Sequence, residues 1–312
     1  MQAVVINQYG DADELTMTEL PMPTMAADEV LVELKATSIN PIDWKARLGL
    51  MQGMMHWDFP IVLGWDLSGV ITAVGTDVTG FKVGDEVFAR PDTYQDGTRG
   101  TYAEFAAVKA DKLALKPAAI DWQTAAAIPL AGLTAYQVVK DRLHVQAGDK
   151  VLIQAGAGGV GLFAIQIAKA LGAYVATTAS AAQRPLLERL GADEVIDYHE
   201  HNITAVLHDY DAVFDTVSAV DDGLAILKPQ GRLVTIDAQL TEQQQAASQD
   251  VSTWWLQTNG KQLAELGAMV VAGTVQVVID RVLPFTQAGL RTAHQLSESH
   301  HSHGKIVISM AK

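Results

Sequence analysis

Lys150-Val151-Leu152-Ile153-Gln154-Ala155-Gly156-Ala157-Gly158-Gly159-Val160-Gly161 is the stretch whose reading decides the fold. Val151-Leu152-Ile153 is a short, wholly apolar run of the kind that forms a central parallel strand. Leu162, Ile165, Ala168 and Leu171 then form an apolar stripe at helical spacing, and Gly172 marks a helix stop. A strand, a glycine-rich turn and a helix in this order seat a pyrophosphate on a helix N-terminus. Gly156 allows the tight turn, Gly158 lets the backbone approach the phosphates, and Gly161 lets the helix pack close to the strand. Ala155, Ala157, Gly159 and Val160 complete the expected contact surface. The alternative is the same strand–turn–helix with no ligand, which G-x-G-x-x-G alone does not exclude.

Working outward, strands and helices alternate downstream of this turn. Strands are expected at 174–178, 194–198, 212–216 and 231–236, and helices at 184–190, 222–227 and 261–271. Such alternation implies a doubly wound parallel sheet. Upstream, a long helical stretch at 125–143 precedes the strand. The first part of the chain is β-rich, with strands expected at 3–6, 29–36, 69–74, 85–89 and 102–108. Pro41 opens a short helix over 41–48. Strands at 275–283 and 305–309 are expected to return to the β-rich part. The division is therefore 1–123 with 274–312 as one domain and 124–273 as the other, in the α/β class. The active cleft is expected between them, at the carboxyl ends of the parallel strands. The polar, glutamine-rich stretch 243–249 reads as an exposed helix or loop without chemistry.

Composition narrows the functions. The 312 residues are 49% hydrophobic and 19% charged, ordinary for a globular protein. There is no cysteine, which excludes disulfides, thiolate catalysis and cysteine-ligated zinc. Net charge is −14, from 22 Lys and Arg against 36 Asp and Glu, and such a surface repels nucleic acid and anionic membrane. No apolar run has the length of a membrane span, and Met1-Gln2-Ala3-Val4-Val5-Ile6-Asn7 lacks the marks of a signal peptide. A cytoplasmic enzyme with a small, uncharged substrate is the simplest fit.

The cofactor can be narrowed too. NAD sites place Asp or Glu about 20 residues past the glycine turn, on the ribose hydroxyls. Here that strand ends Val175-Ala176-Thr177-Thr178-Ala179-Ser180, without an acid, and the next charge is Arg184. Hydroxyls from Thr178 and Ser180 and a guanidinium suit a 2′-phosphate, so the cofactor is read as NADPH. The alternative for Arg184 is a solvated side chain on an ordinary helix.

The chain resembles the zinc-free medium-chain dehydrogenase/reductases of the quinone oxidoreductase (zeta-crystallin-like) group. The resemblance rests on Ser38-Ile39-Asn40-Pro41-Ile42-Asp43, Leu63-Gly64-Trp65-Asp66-Leu67-Ser68-Gly69, Gly84-Asp85-Glu86-Val87-Phe88, Gly132-Leu133-Thr134-Ala135-Tyr136, Ala155 to Gly161 and Gly304-Lys305-Ile306-Val307. It implies a GroES-like catalytic domain, a Rossmann domain, NADPH and a homodimer. Asn40 and Trp65 match positions where zinc-dependent relatives carry a cysteine and a histidine ligand, so it implies no catalytic metal. It matches Ser180, Arg184 and Tyr198 to positions that hold the 2′-phosphate, Thr134 to one near the nicotinamide, and Lys305 to the Gly-Lys motif beside the cleft. Many members carry tyrosines just after Asn-Pro-Ile-Asp. This chain has Trp44 and then Met51, Met54, Met55, His56 and Trp57, which alters the expected substrate wall.

Without zinc there is no Lewis acid to polarise an ordinary alcohol or carbonyl. Hydride transfer to a quinone, or to the β-carbon of an α,β-unsaturated ketone, needs less help. The protein then holds the nicotinamide against the acceptor and donates a hydrogen bond to the developing oxyanion. Asn40 is the candidate donor, with a helix cap as its alternative. Asp43 relays a proton or braces the site, and Trp65 stacks on a flat substrate or lies in the core. His199, His201, His300, His301 and His303 read as exposed surface rather than metal ligands. The rival function is a non-catalytic NADPH-binding sensor or crystallin-like protein.

Overall fold

The computed structural model describes residues 1–92 and 97–311. In chain order the elements are β1 (Gln2–Ile6), β2 (Thr16–Glu19), β3 (Glu29–Ile39), α1 (Pro41–Arg47), β4 (Ile61–Val62), β5 (Leu67–Val74), β6 (Glu86–Ala89), β7 (Phe105–Lys109), β8 (Leu113–Leu115), α2 (Trp122–Ala126) and α3 (Pro129–Tyr136). Then come β9 (Lys150–Ile153), α4 (Gly159–Ala170), β10 (Tyr174–Ala179), α5 (Arg184–Arg189), β11 (Glu194–Asp197), α6 (Ile203–Val206), β12 (Tyr210–Asp215), α7 (Val220–Ile226), β13 (Leu227–Thr235), α8 (Glu242–Gln245) and β14 (Asp250–Thr253). The chain closes with α9 (Gly260–Val271), β15 (Ile279–Pro284), α10 (Gln287–Glu298) and β16 (Lys305–Ser309).

Two compact units result: Met1–Leu130 with Thr258–Val271 and Ile279–Lys312, and Ala131–Gln257 with Ala272–Val278. The first holds a three-stranded sheet, β2-β1-β4, and a seven-stranded sheet in the order β15-β16-β3-β5-β6-β8 with β7 also paired to β3. Its core gathers apolar residues from β1, β4 and α10 around Trp65 and Tyr102, while β3, β5, β6 and β7 enclose a second cluster. The second unit holds a six-stranded parallel sheet, β11-β10-β9-β12-β13-β14. The strand order turns back at β9, the strand that feeds the glycine turn, which is the topological switch of a doubly wound sheet.

Three expectations need correction. Residues 258–271 are expected in the parallel-sheet domain, yet α9 belongs to the first unit. A Cβ at Gly260 would lie 2.2 Å from the Leu113 carbonyl oxygen, so the absence of a side chain lets this helix start directly on β8. The helix expected over 125–143 is divided into α2, α3 and a π-helical turn at Gln137–Arg142. Pro129, without an N–H, starts a new helix rather than extending α2. Residues 275–278 are not strand, and β15 begins at Ile279.

Candidate active site

β3 ends at Ile39, and Pro41 opens α1, so Asn40 is held in extended backbone (φ −132°, ψ 156°) at the helix N-cap. The Asp43 carboxyl accepts the Asn40 N–H at 2.7 Å, the reciprocal contact of a capping box. β16 runs antiparallel to β3 with Ile306 opposite Ile39, which sets Lys305 beside Asn40. Asp66 comes in just ahead of β5, on the other side of β3.

These residues form one buried polar cluster. The Lys305 Nζ donates to Asn40 Oδ1 at 2.5 Å and to the Ile39 carbonyl at 2.9 Å, and lies 3.4 Å from Asp66 Oδ2. Three oxygens around one nitrogen call for three N–H groups, which only the ammonium form supplies. Burial pushes the Lys305 pKa below the usual lysine range, while Asp66 and Asp43 pull it back up. Asp66 accepts from Ser38 Oγ (2.6 Å), Asn40 Nδ2 (2.8 Å) and the Leu130 N–H (2.7 Å), a donor set that suits an acceptor-only carboxylate. Asn40 is 2% exposed, Asp66 0% and Lys305 3%, so none of these contacts is made in open water.

A second chain runs behind Asn40. The Tyr102 hydroxyl lies 2.7 Å from Asp43 Oδ1 and 3.0 Å from His294 Nε2. Burial pushes Asp43 up to about 7, and the hydrogen bonds from Tyr102 and Asn40 only partly offset this. Burial also pushes His294 down to about 3, helped by the neighbouring Arg47. Tyr102 is raised well above its ordinary value by burial and by Asp43. Arg47 is fully buried and reaches Glu298 at 2.7 Å, which ties α1 to α10.

Trp65 has no exposed surface. It packs in the core with Trp57 at 6.0 Å between ring centroids, and its indole N–H has no partner among the described residues. No face of this ring is open to a flat substrate, so of its two readings the core is the one observed. Around the altered wall, Trp44 and Met55 are also buried, and Met54 and His56 are exposed. His199, His201, His300, His301 and His303 are all exposed, and among the described residues no three His, Asp or Glu gather in a metal-ligating cluster.

In the second unit the glycine turn departs in detail from its reading. The left-handed residue is Ala155 (φ 50°), not Gly156. Gly156 is needed for lateral room, because a Cβ there would lie 2.1 Å from Thr177 Oγ1. A Cβ at Gly161 would lie 2.4 Å from the Ala155 carbonyl oxygen, so the helix start rests on the turn itself. Thr178 holds this turn from the side: its hydroxyl accepts the Ala155 N–H at 2.9 Å and its carbonyl the Gly156 N–H at 3.0 Å. No side chain caps α4 at Gly158, so the first N–H groups of the helix remain available to an anion.

Parallel pairing sets Ala179, at the end of β10, opposite Asp197 at the end of β11. Asp197 accepts from the N–H groups of Ala181 and His199, both at 2.9 Å, which draws the Ser180 and Tyr198 segments together. Tyr198 is exposed and stacks on His199 at 4.2 Å. Arg184 opens α5, is about half exposed, and has Nη1 3.8 Å from Glu188 Oε1. Thr134 is buried on α3. Sequence reading passed over Asp66, Tyr102 and His294. Asp66 had a signal, an acid just ahead of an apolar strand, whereas nothing local marks Tyr102 or His294 as partners of Asp43.

Two family models match the chain: the alcohol dehydrogenase GroES-like domain over residues 26–118 and the zinc-binding dehydrogenase over residues 190–308. The chloroplastic NADPH-dependent alkenal/one oxidoreductase of Arabidopsis thaliana is 35% identical over 314 residues, 99% of this chain and 79% of that protein. The chain belongs to the medium-chain dehydrogenase/reductase family. Among solved members of this family, the quinone oxidoreductase from Coxiella burnetii matches with a TM-score of 0.92 at 31% identity, covering 100% of this chain and 99% of that one. The Escherichia coli quinone oxidoreductase, solved in complex with NADPH, matches with a TM-score of 0.88 at 28% identity, covering 99% of this chain and 100% of that one. The first unit is thus the GroES-like domain of a medium-chain dehydrogenase/reductase, and the parallel sheet is its Rossmann domain.

Proposed function

We propose that this chain is an NADPH-dependent oxidoreductase that transfers hydride to a quinone or an α,β-unsaturated carbonyl without zinc. The observation that carries the reading is the Lys305 ammonium 2.5 Å from Asn40 Oδ1. By the family resemblance, Asn40 and Trp65 stand where zinc-dependent relatives hold their metal. A dication placed there would face a fixed cation. Neither side chain has a thiolate or imidazole lone pair to offer, and Trp65 is enclosed in the core. The residues present do not suit zinc. An acceptor that already carries its own electron sink needs only a hydrogen bond, and Asn40 is read as its donor.

The residues of the turn do suit a dinucleotide. Ala157, Gly159, Val160 and Gly161 offer backbone N–H groups at an uncapped helix start, while Gly156 and Gly158 donate theirs to the Thr178 and Ala155 carbonyls, which hold the turn in shape. Ser180, Arg184 and Tyr198 are read as the 2′-phosphate contacts, and Thr134 as a nicotinamide contact. NADPH, when bound, supplies the hydride. The chain's own residues orient the acceptor and stabilise its oxyanion. Asp43, fully buried and engaged through both oxygens, is read as a brace for Asn40 rather than a proton relay. The relatives named for alkenal/one and quinone reduction support both acceptor types. The family resemblance extends the reading to a homodimer, and the composition to a cytoplasmic protein. No helix among the described residues is long and apolar enough to cross a membrane.

The test is NADPH absorbance in chelator-treated protein offered para-quinones, ortho-quinones, enones and simple aldehydes. Loss of absorbance with quinones or enones, and none with aldehydes, supports the reading. Activity that vanishes with the chelator and returns with zinc would sink it. Tight NADPH binding without turnover on any acceptor would favour the sensor.

A further inference from the structure

We infer that Lys305 and Asp66 are positioning residues that lock the Asn40 carboxamide in one of its two flips, so that it can meet an acceptor only as an N–H donor. The inference rests on the reading of Asn40 as the oxyanion donor and says what makes it one. The two ends of a carboxamide are alike in shape, so the chemistry of the neighbours decides which end points where. Here the neighbours leave no choice. An ammonium only donates, and Lys305 lies 2.5 Å from one end of the amide. Asp66 Oδ2 is the acceptor of Ser38 Oγ and lies 2.8 Å from the other end. Turning the amide over would set NH2 against an ammonium and a carbonyl oxygen against a carboxyl oxygen, in a cluster closed to water. Both contacts would become repulsive at once.

The locked amide keeps one N–H in hand. Nδ2 carries two hydrogens and Asp66 takes one. No other partner for Nδ2 occurs among the described residues. A cation on the amide oxygen draws electron density toward that oxygen, which makes the remaining N–H a stronger donor. Asn40 is 2% exposed, and this N–H is the donor it has left to offer. The ammonium thus acts on the acceptor through Asn40 and not by touching it. The acceptors that such a site favours develop negative charge on oxygen, as enones and quinones do when they accept hydride.

A kinetic double-mutant cycle tests this, using Asn40→Ala, Lys305→Met and the double variant with NADPH and an enone. Lys305→Met should lower kcat roughly tenfold, with the KM for NADPH changed less than about twofold. In the Asn40→Ala background the same substitution should leave kcat nearly unchanged, because its target is gone. Equal losses in both backgrounds would overturn the positioning role while leaving Asn40 as the donor. A change confined to the KM for NADPH would make Lys305 a cofactor contact and also overturn it. An unchanged kcat in Asn40→Ala would instead remove the donor reading itself. Asp66→Asn runs through the same cycle, with the same expectations, if Lys305→Met melts below the assay temperature.

Discussion

The Tyr102 hydroxyl lies 2.7 Å from Asp43 Oδ1, deep in the GroES-like domain, and on its far side it meets His294. Two buried groups with opposite pKa shifts thus share one hydroxyl, and their effects on stability run in opposite directions. Asp43 is raised to about 7. Its contribution is full below its unfolded value and is lost as pH rises through 7. His294 is lowered to about 3, so its contribution is full above its unfolded value and is lost as pH falls toward 3. Between about pH 4 and 6.5 the two offset each other. Asp43→Asn should therefore make stability rise with pH across this window more steeply than in the wild type. His294→Gln should make it fall. Denaturant midpoints at pH 4.5, 5.5 and 6.5, taken as approximate sampling points in that window, check this. Parallel profiles for all three proteins would show that the shifts are absent.

Thr178 supports the glycine turn at the N–H of Ala155, the residue held at φ 50°. Thr178→Val keeps the shape and removes the acceptor. The KM for NADPH should rise by about five- to tenfold, the equivalent of one ordinary hydrogen bond, while kcat stays nearly constant. A fall in kcat at unchanged KM would mean that the turn is held by something else.

Gly161 has no room for a side chain, since a Cβ would sit 2.4 Å from the Ala155 carbonyl oxygen. Gly161→Ala must push the helix start away from the turn. NADPH affinity, followed by fluorescence titration, should weaken by more than about tenfold. Undiminished affinity would show that the helix start is not part of the cofactor seat.

Arg184 is about half exposed and its contact with Glu188 is as long as 3.8 Å, so it has the freedom to turn toward a 2′-phosphate. Arg184→Glu should reverse the preference, raising the KM for NADPH and lowering that for NADH. If the ratio of the two constants does not move, Arg184 is only a solvated helix residue.

The division of the chain between a β-rich part and a parallel sheet was legible because period and glycine placement are local signals. β9, the turn and α4 announce themselves in Val151-Leu152-Ile153 and Gly156 to Gly161. Other elements carry weaker patterns. β14 is the polar run Asp-Val-Ser-Thr, recognisable as a strand only once it lies beside β13. α10 buries Leu290, Ala293 and His294 on an otherwise polar helix, and its one buried histidine breaks the apolar stripe. In the site, Asn40 and Asp43 share a short motif and could be read together. Lys305 was visible only as part of a motif, because its contact with Asn40 spans 265 positions in sequence and is set by strand register. The end of β10 visibly carries no acid, but Asp197 at the end of β11 has both oxygens on backbone N–H groups of that same corner. That acid organises the Ser180 and Tyr198 segments, and only parallel pairing reveals it.

In the proposed reaction Asn40, and not a metal, stabilises the oxyanion formed on hydride transfer. The most direct measurement is the turnover number of chelator-treated wild type and Asn40→Ala, at saturating NADPH and enone. The Asn40→Ala variant should turn over about a hundredfold more slowly, the usual loss on removing one oxyanion donor, with the KM for NADPH unchanged. Equal turnover numbers for the two proteins would contradict it.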